Sequence, residues 1–321
     1  MAEEKIALLF PGQGTHYVGM GRDLYDKHPA IRNVYDKAAE ILDIRARVMS
    51  LGKLQHFGFK RTDYVQIGVF VANHAMYELF RSRYPDLRYH ATAGHSLGEY
   101  NALVASGAIS FELALPLVQK RGKHMHDSSN KTNGGLVALI AKSHTDLGKQ
   151  LSELEARKVY PALYNSPGSI TIGGRKESLD SAVAELEEKG IRAVKVNVEG
   201  PFHTLYMKDA ADMLRKDINS TRFNFAAVPI VANSSARFIL DPMDIEQELY
   251  AQVYSPVMWA DSIKRMRESG IDFFIVIGLD KDEFIKKTVG RVDKDVRVMT
   301  VMDIPSLYNV AIMLNSKNPR K

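Results

Sequence analysis

A serine with glycine two residues to either side, Gly94-His95-Ser96-Leu97-Gly98, lies between a strand-like stretch, Tyr89 to Ala93, and a helical one, Glu99 to Ala105. Strand, glycine turn and helix in that order leave the backbone little choice. The chain must turn sharply, which the glycines permit, and the serine hydroxyl then projects above the end of a sheet. The helix that follows aims its N-terminus at the same point, where free N–H groups and the helix dipole favour an oxyanion. The backbone N–H of Leu97 is the natural first oxyanion donor. A second is expected from the loop after the first strand, where Gln13 sits in Pro11-Gly12-Gln13-Gly14. The flanking strand and helix are what lift this pentapeptide above a chance match.

The remaining pattern gives that turn a sheet to stand on. Lys5 to Phe10 reads as a short buried strand, and residues 22–42 and 64–84 carry apolar residues at helical spacing. Ser110 is a plausible N-cap for a helix reaching Met125, with a kink or broken turn expected at Pro116. The polar stretch His126 to Gly134 is rich in turn formers and reads as a linker. A compact pattern follows: strand Gly135 to Ala141, helix Asp146 to Arg157, strands Val159 to Asn165 and Ser169 to Gly174, helix Glu177 to Glu188, strand Ile191 to Val198. That β-α-β-β-α-β order is ferredoxin-like and predicts an inserted unit of about 70 residues. Beyond it, a helix over Leu205 to Ile218, strands at Val228 to Val231 and Phe273 to Ile277, and a helix over 259–268 resume the strand–helix alternation. The fold class is therefore α/β, a sheet interrupted by an insert.

A serine nucleophile needs a base, and the chain has 10 histidines. His203 follows Gly200-Pro201-Phe202 at a break between a strand and a helix, a place typical of loop-borne catalytic groups. His95 faces away on a tight turn and reads as structural, while His16, His74, His90, His124 and His126 read as surface or capping residues. No triad acid is evident near either motif, so a backbone carbonyl is the expected support for the imidazole.

Composition removes other chemistries. The 321 residues contain no cysteine, which excludes disulfides, thiolate metal sites and cysteine nucleophiles. No metal site is expected, because His124 and His126 lack a second ligand cluster at useful spacing. The N-terminal apolar run is too short for a signal peptide, and no run of about 18 apolar residues exists to span a membrane. A cytoplasmic location is the expectation. A net charge of +5, from 43 basic and 38 acidic residues, is too weak and dispersed to argue for nucleic acid, but it suits an acidic partner.

The motifs taken together resemble a known family. FPGQG at 10–14, GHSLGEY at 94–100, Arg121 in KRGKHM, GPFH at 200–203 and SPVMW at 255–259 are similar, in order and spacing, to the malonyl-CoA:acyl-carrier-protein transacylases. The related acyltransferases of polyketide synthases share them. The resemblance implies an α/β-hydrolase-like catalytic subdomain over 1–130 and 199–321, and a ferredoxin-like subdomain over 131–198. It implies that Ser96 is acylated by a thioester and that His203 acts as general base and acid. Gln13 and Leu97 would supply oxyanion N–H groups, and Arg121 would hold the carboxylate of a malonyl-type acyl group. Gln66, Phe202 and Asn165 would line the substrate pocket, and the segment around Asn233 would support the histidine. No cofactor is implied beyond CoA or phosphopantetheine thioesters as substrates. The implied partner is a small acidic acyl carrier protein, met by Lys120, Lys123, Lys131 and Arg237, and a monomer is the default.

Phe202 before the histidine resembles malonyl-type enzymes, since a bulky ring leaves no room for a branch at the α-carbon. Other positions depart from the family. His16 stands where a glutamine is usual, Ile67 replaces the proline after Gln66, Met258 replaces an arginine, and Leu279-Asp280 replaces Pro-Gly after Gly278. Drift from a housekeeping sequence or a pocket re-tuned for a modified malonyl unit would each produce such changes. An editing acyl hydrolase, using the same serine and histidine with water as acceptor, is the alternative activity; Arg121 argues against it.

Overall fold

The computed structural model describes residues 4–17, 19–43, 61–141 and 144–315. Its larger sheet has six strands in the order β10-β9-β1-β2-β7-β8: β1 (Lys5–Phe10), β2 (Ala91–Gly94), β7 (Ile230–Val231), β8 (Phe238–Ile239), β9 (Ile271–Ile277) and β10 (Arg297–Val301). All neighbours are parallel except β7 and β8. β1 and β9 are near-continuous apolar runs because both faces of a parallel sheet are covered. Ile6, Leu8 and Phe10 of β1 point into one core, with Phe70, Met76, Leu115 and Val118. Ala7 and Leu9 point into the opposite one, with Trp259, Ile263, Met266, Ile285 and Val289.

The helices follow the sequence expectations with instructive differences. The run over 22–42 is two helices, α1 (Arg22–Lys27) and α2 (Pro29–Leu42), because His28 is extended before Pro29, which then opens the second helix. The run over 64–84 is α3 (Thr62–Arg83), and α4 (Gly98–Ala105) follows the serine turn. The stretch read as a linker is instead the end of a long helix, α5 (Phe111–Thr132), capped at its start by Ser110. Its late turn-formers are accommodated because Ser129 Oγ and Thr132 Oγ1 donate back to the carbonyls of Met125 and Ser128, at 2.8 and 2.9 Å. The helix also runs through Pro116. The carbonyl that loses its partner belongs to exposed Glu112 in the first turn, which water can satisfy.

The second sheet is antiparallel, ordered β4-β5-β3-β6: β3 (Gly134–Ile140), β4 (Val159–Ser166), β5 (Ser169–Arg175) and β6 (Arg192–Val196). With α6 (His144–Ala156) and α7 (Lys176–Glu188) it completes the β-α-β-β-α-β unit around Leu139, Val159, Ile170, Ile172, Leu179 and Leu186. Pro161 is tolerated because β4 is an edge strand. The fold is α/β, with an α/β-hydrolase-like large part and a ferredoxin-like small one. Tyr164 and Val257 stitch the two together: the Tyr164 N–H donates to Val257 O and the Val257 N–H to Ala162 O, both at 2.9 Å.

Among the described residues no helix is long and apolar enough to cross a membrane. After β6 a short 3₁₀ turn, Leu205–Met207, leads into α8 (Lys208–Asn219). The C-terminal third adds α9 (Pro242–Tyr254), α10 (Trp259–Glu268), α11 (Phe284–Val292) and α12 (Ile304–Asn315). The register of β1 on β2 pairs Phe10 with Gly94. Both strands therefore end side by side, and the loops that follow them meet at the carboxyl edge of the sheet, where α/β folds place ligands.

Candidate active site

The turn after β2 has no spare room. A Cβ on Gly94 would lie 1.9 Å from the Gly98 carbonyl carbon, and one on Gly98 would lie 2.2 Å from the carbonyl oxygen of Phe10. A Cβ on Gly12 would meet the His95 carbonyl oxygen at 2.2 Å. The three glycines thus press the serine turn against the loop carrying Gln13. Ser96 itself takes φ 52°, a left-handed conformation costly for a residue with a side chain. Asn233, just after β7, holds it there. Its Oδ1 accepts the Ser96 N–H at 2.7 Å, and its Nδ2 donates to Gly94 O at 2.7 Å.

Ser96 Oγ lies 2.6 Å from His203 Nε2. His203 also has positive φ, 60°, and is 3% exposed. Its Nδ1 is 2.7 Å from the main-chain carbonyl of Gln252 in α9. A carbonyl only accepts, so Nδ1 carries the proton and Nε2 presents its lone pair to the serine hydroxyl. Burial, and then the positive charge of Arg121, push the imidazole down to about 3, so it stays neutral and able to accept a proton.

Arg121, on the inner face of α5, is 1% exposed. Its Nη1 donates to Gln66 Oε1 at 2.5 Å. Its Nη2 donates to Gln252 Oε1 at 2.9 Å and to Ser96 Oγ at 3.2 Å. Nε is buried without a partner, and no carboxylate lies within ion-pair distance among the described residues. Burial lowers its affinity for its proton, but a guanidinium stays charged. Thr62 links this group to the first loop, accepting from Gln66 Nε2 at 3.1 Å and donating to Gln13 Oε1 at 2.7 Å. The backbone N–H groups of Leu97 and Gln13 donate to no acceptor among the described residues, and Leu97 is fully buried at the start of α4. A nucleophile, an oriented base, a fixed cation and two open N–H groups make up an arrangement suited to acyl transfer.

The comparisons with known proteins agree with that chemistry. The model of the acyl transferase domain matches residues 7–279. This chain belongs to the acyl transferase family. The acyltransferase is 35% identical to a malonyl CoA-acyl carrier protein transacylase of Bacillus subtilis, over 96% of both chains. The crystal structure of a malonyl CoA-acyl carrier protein transacylase from Clostridium perfringens matches it with a TM-score of 0.88, at 32% identity and 97% coverage of both chains. A type II PKS acyl-carrier protein in complex with its malonyl-transacylase matches with a TM-score of 0.90, at 27% identity, over 97% of this chain and 100% of that one.

Of the site residues expected from sequence, the acyltransferase brings Ser96, His203, Arg121 and Gln66 into one hydrogen-bonded group, with Gln13 joined to it through Thr62. Phe202 is buried beside His203. Two expectations are corrected. Asn233 does not orient the histidine; that carbonyl is Gln252's, while Asn233 props the serine turn. Asn165 lies outside the hydrogen-bonded group around Ser96 and Arg121. Its Oδ1 lies 2.8 Å from His95 Nε2 and its Nδ2 donates to Thr171 Oγ1 at 3.4 Å, so both ends of the amide are engaged behind the turn. His95 is structural as expected, packed edge-on against Trp259 and Phe284. His74 is not a surface residue: it is buried and stacked on Phe111 at 4.2 Å.

Gln252 and Glu99 were missed. The signal for Gln252 was present, since Ile245, Leu249 and Val253 define the buried face of α9 and a glutamine three residues beyond Leu249 shares it. One departure from the family pattern also has a local purpose. Asp280 accepts the N–H groups of Phe284 and Ile285, at 3.0 and 2.9 Å, and so caps α11. Among the described residues no cluster of three or more His, Asp or Glu forms a metal site.

The imidazole environment sets the pH behaviour. A base loses activity as pH falls through its own pKa, here about 3. The kcat/KM for acylation should stay flat from pH 8 down to pH 5, roughly 1.5 units below where an unshifted histidine would begin to fail. Arg121→Gln removes a downward push, so the acid limb should move up in pH. A limb near 6.5 in the native enzyme would contradict the geometry.

Proposed function

We propose that this acyltransferase moves a malonyl-type acyl group from a CoA or carrier-protein thioester to the phosphopantetheine thiol of an acyl carrier protein. The catalytic subdomain is residues 1–132 and 199–321, with 133–198 as the ferredoxin-like insert; the expected boundary at 130/131 moves because α5 runs on to Thr132 and the first strand of the insert starts at Gly134. Ser96 Oγ attacks the thioester carbonyl as His203 Nε2 takes its proton, and the N–H groups of Leu97 and Gln13 hold the oxyanion. The intermediate collapses with loss of the thiolate, which takes the proton back from Nε2–H and leaves an ester on Ser96. The carrier thiol then gives its proton to His203 Nε2 and attacks that ester, and the departing Ser96 Oγ takes the proton back, which restores the serine and the neutral imidazole.

The observation that carries the acyl specificity is Arg121, a buried guanidinium held by two amide oxygens and, among the described residues, by no carboxylate, with Nη2 3.2 Å from the nucleophile. A planar carboxylate on the acyl group would supply the missing counter-charge in bidentate fashion. A neutral acyl group leaves that charge uncompensated, a penalty of about 3–5 kcal/mol, or at least 10²-fold in selectivity. Carrier docking is supported by the net charge of +5 and the exposed Lys131 and Arg237. Lys120 and Lys123 already pair with Asp217 and Asp127 and are weaker contacts.

The test is Arg121→Gln, with Ser96 acylation followed for malonyl-CoA and acetyl-CoA. The malonyl rate should fall about 10²–10³-fold while the acetyl rate holds or rises. Equal losses on both substrates would remove Arg121 from recognition, and rapid release of free acid from neutral acyl carriers would install the hydrolase instead.

A further inference from the structure

Glu99 is a buried acid that the mechanism above leaves without a task. It sits in the first turn of α4, 1% exposed, one turn past the nucleophile. Both carboxylate oxygens accept hydrogen bonds: Oε1 from the Asn233 N–H at 2.9 Å, Oε2 from Gln252 Nε2 at 2.6 Å. Gln252 Nε2 also donates to Ser96 O at 2.8 Å, and Gln252 Oε1 accepts from Arg121.

We propose that Glu99 is a positioning residue for acyl specificity: by accepting from Gln252 Nε2 it fixes which way that amide faces, and so holds Arg121 against Ser96. Donors and acceptors decide the orientation. An amide can sit either way round in a slot of its shape, and only its neighbours choose. Here the acceptors Glu99 Oε2 and Ser96 O stand on one side, and the guanidinium donor on the other. Reversal would set oxygen against carboxylate and N–H against guanidinium, leaving several buried groups unpaired at once. Glu99 Oε2, the shorter of the two contacts, therefore shares with Ser96 O the task of holding the N–H₂ end, opposite the arginine. Gln252 also stands between Glu99 and Arg121, so Arg121 keeps its cationic face for a substrate.

Glu99→Gln keeps the shape and removes the acceptor. Its own N–H₂ then faces either Gln252 Nε2 or the Asn233 N–H, and turning Gln252 to relieve the clash directs N–H groups at Arg121. The inference rests on the malonyl reading, so the experiment measures a ratio. Single-turnover acylation of Ser96 is followed with malonyl-CoA and acetyl-CoA in the native enzyme, Glu99→Gln, Gln252→Leu and the double variant. Gln252→Leu preserves the backbone carbonyl that supports His203.

The malonyl-to-acetyl ratio should fall about 10- to 100-fold in each single variant and no further in the double, because both changes break one link. A residue that merely supported the serine turn would slow both substrates alike and leave the ratio unmoved, which would overturn the proposal. So would ratio losses that add in the double variant. Should Glu99→Gln fail to fold, Glu99→Asp, which draws the acceptor back from Gln252 Nε2, takes its place: a tenfold fall in its ratio supports the proposal and an unchanged ratio overturns it. A native enzyme with no preference for malonyl-CoA would instead sink the reading on which this rests.

Discussion

Ser96→Ala should lose about 10⁴–10⁶ in kcat and form no acyl adduct, while keeping its fold. The two halves of that expectation have separate causes. The hydroxyl is the only atom of the residue that reacts, and removing it leaves the oxyanion donors and the base with nothing to assist. The turn itself depends on backbone groups: the Ser96 N–H on Asn233 Oδ1, the Ser96 carbonyl on Gln252 Nε2, and the glycine contacts to β1 and its loop. Alanine preserves all of these. Intact-mass measurement after exposure to acyl-CoA, with thermal unfolding alongside, checks both. A persistent adduct would place the nucleophile elsewhere.

Replacing the base should have the next largest effect, and in both halves of the reaction. His203→Gln should slow acylation and transfer to the carrier thiol by about 10²–10⁴-fold each, because one imidazole accepts the proton from Ser96 Oγ and later from the thiol. The effect is kinetic and not a matter of binding, since Arg121 and its two glutamines remain. Quenched single-turnover experiments, first with acyl-CoA and then with a holo carrier added to pre-acylated enzyme, separate the two steps. Loss of one step alone would mean that different groups serve the two attacks.

How much of this was legible before the structure depends on where each signal lay. The serine turn was readable because glycine, serine and the flanking periodicities are local, and the contacts of Gly94 and Gly98 show why nothing larger fits there. The inserted unit was readable because six elements follow one another with short connections. The end of α5 was not, because Ser129 and Thr132 favour turns in isolation and are helical here through bonds to carbonyls one turn back. Strands β8, of two residues, and β10, and helices α9, α11 and α12 were passed over, although Asp241 and Pro242 mark the start of α9.

The support of His203 shows the limit most clearly. The expectation of a backbone carbonyl in place of a triad acid was right in kind. Which carbonyl it was depends on how α9 packs over the serine turn, and no local pattern records that. Gln252 lies 156 residues from Ser96 and 49 from His203, yet it touches both. Asn165 was drawn towards the substrate by a motif, whereas its position on β4 beside His95 gives it a partner behind the turn.

In the proposed reaction a Ser96 ester carries a carboxylated acyl group from one thiol to another. The most direct measurement is the intact mass of the enzyme after incubation with malonyl-CoA, repeated after addition of a holo acyl carrier protein. A malonyl adduct that forms on the native enzyme, is absent from Ser96→Ala, and passes to the carrier is the predicted result. No adduct from malonyl-CoA or from a malonyl-type carrier thioester, or an adduct that yields only free acid when the carrier is present, would contradict it.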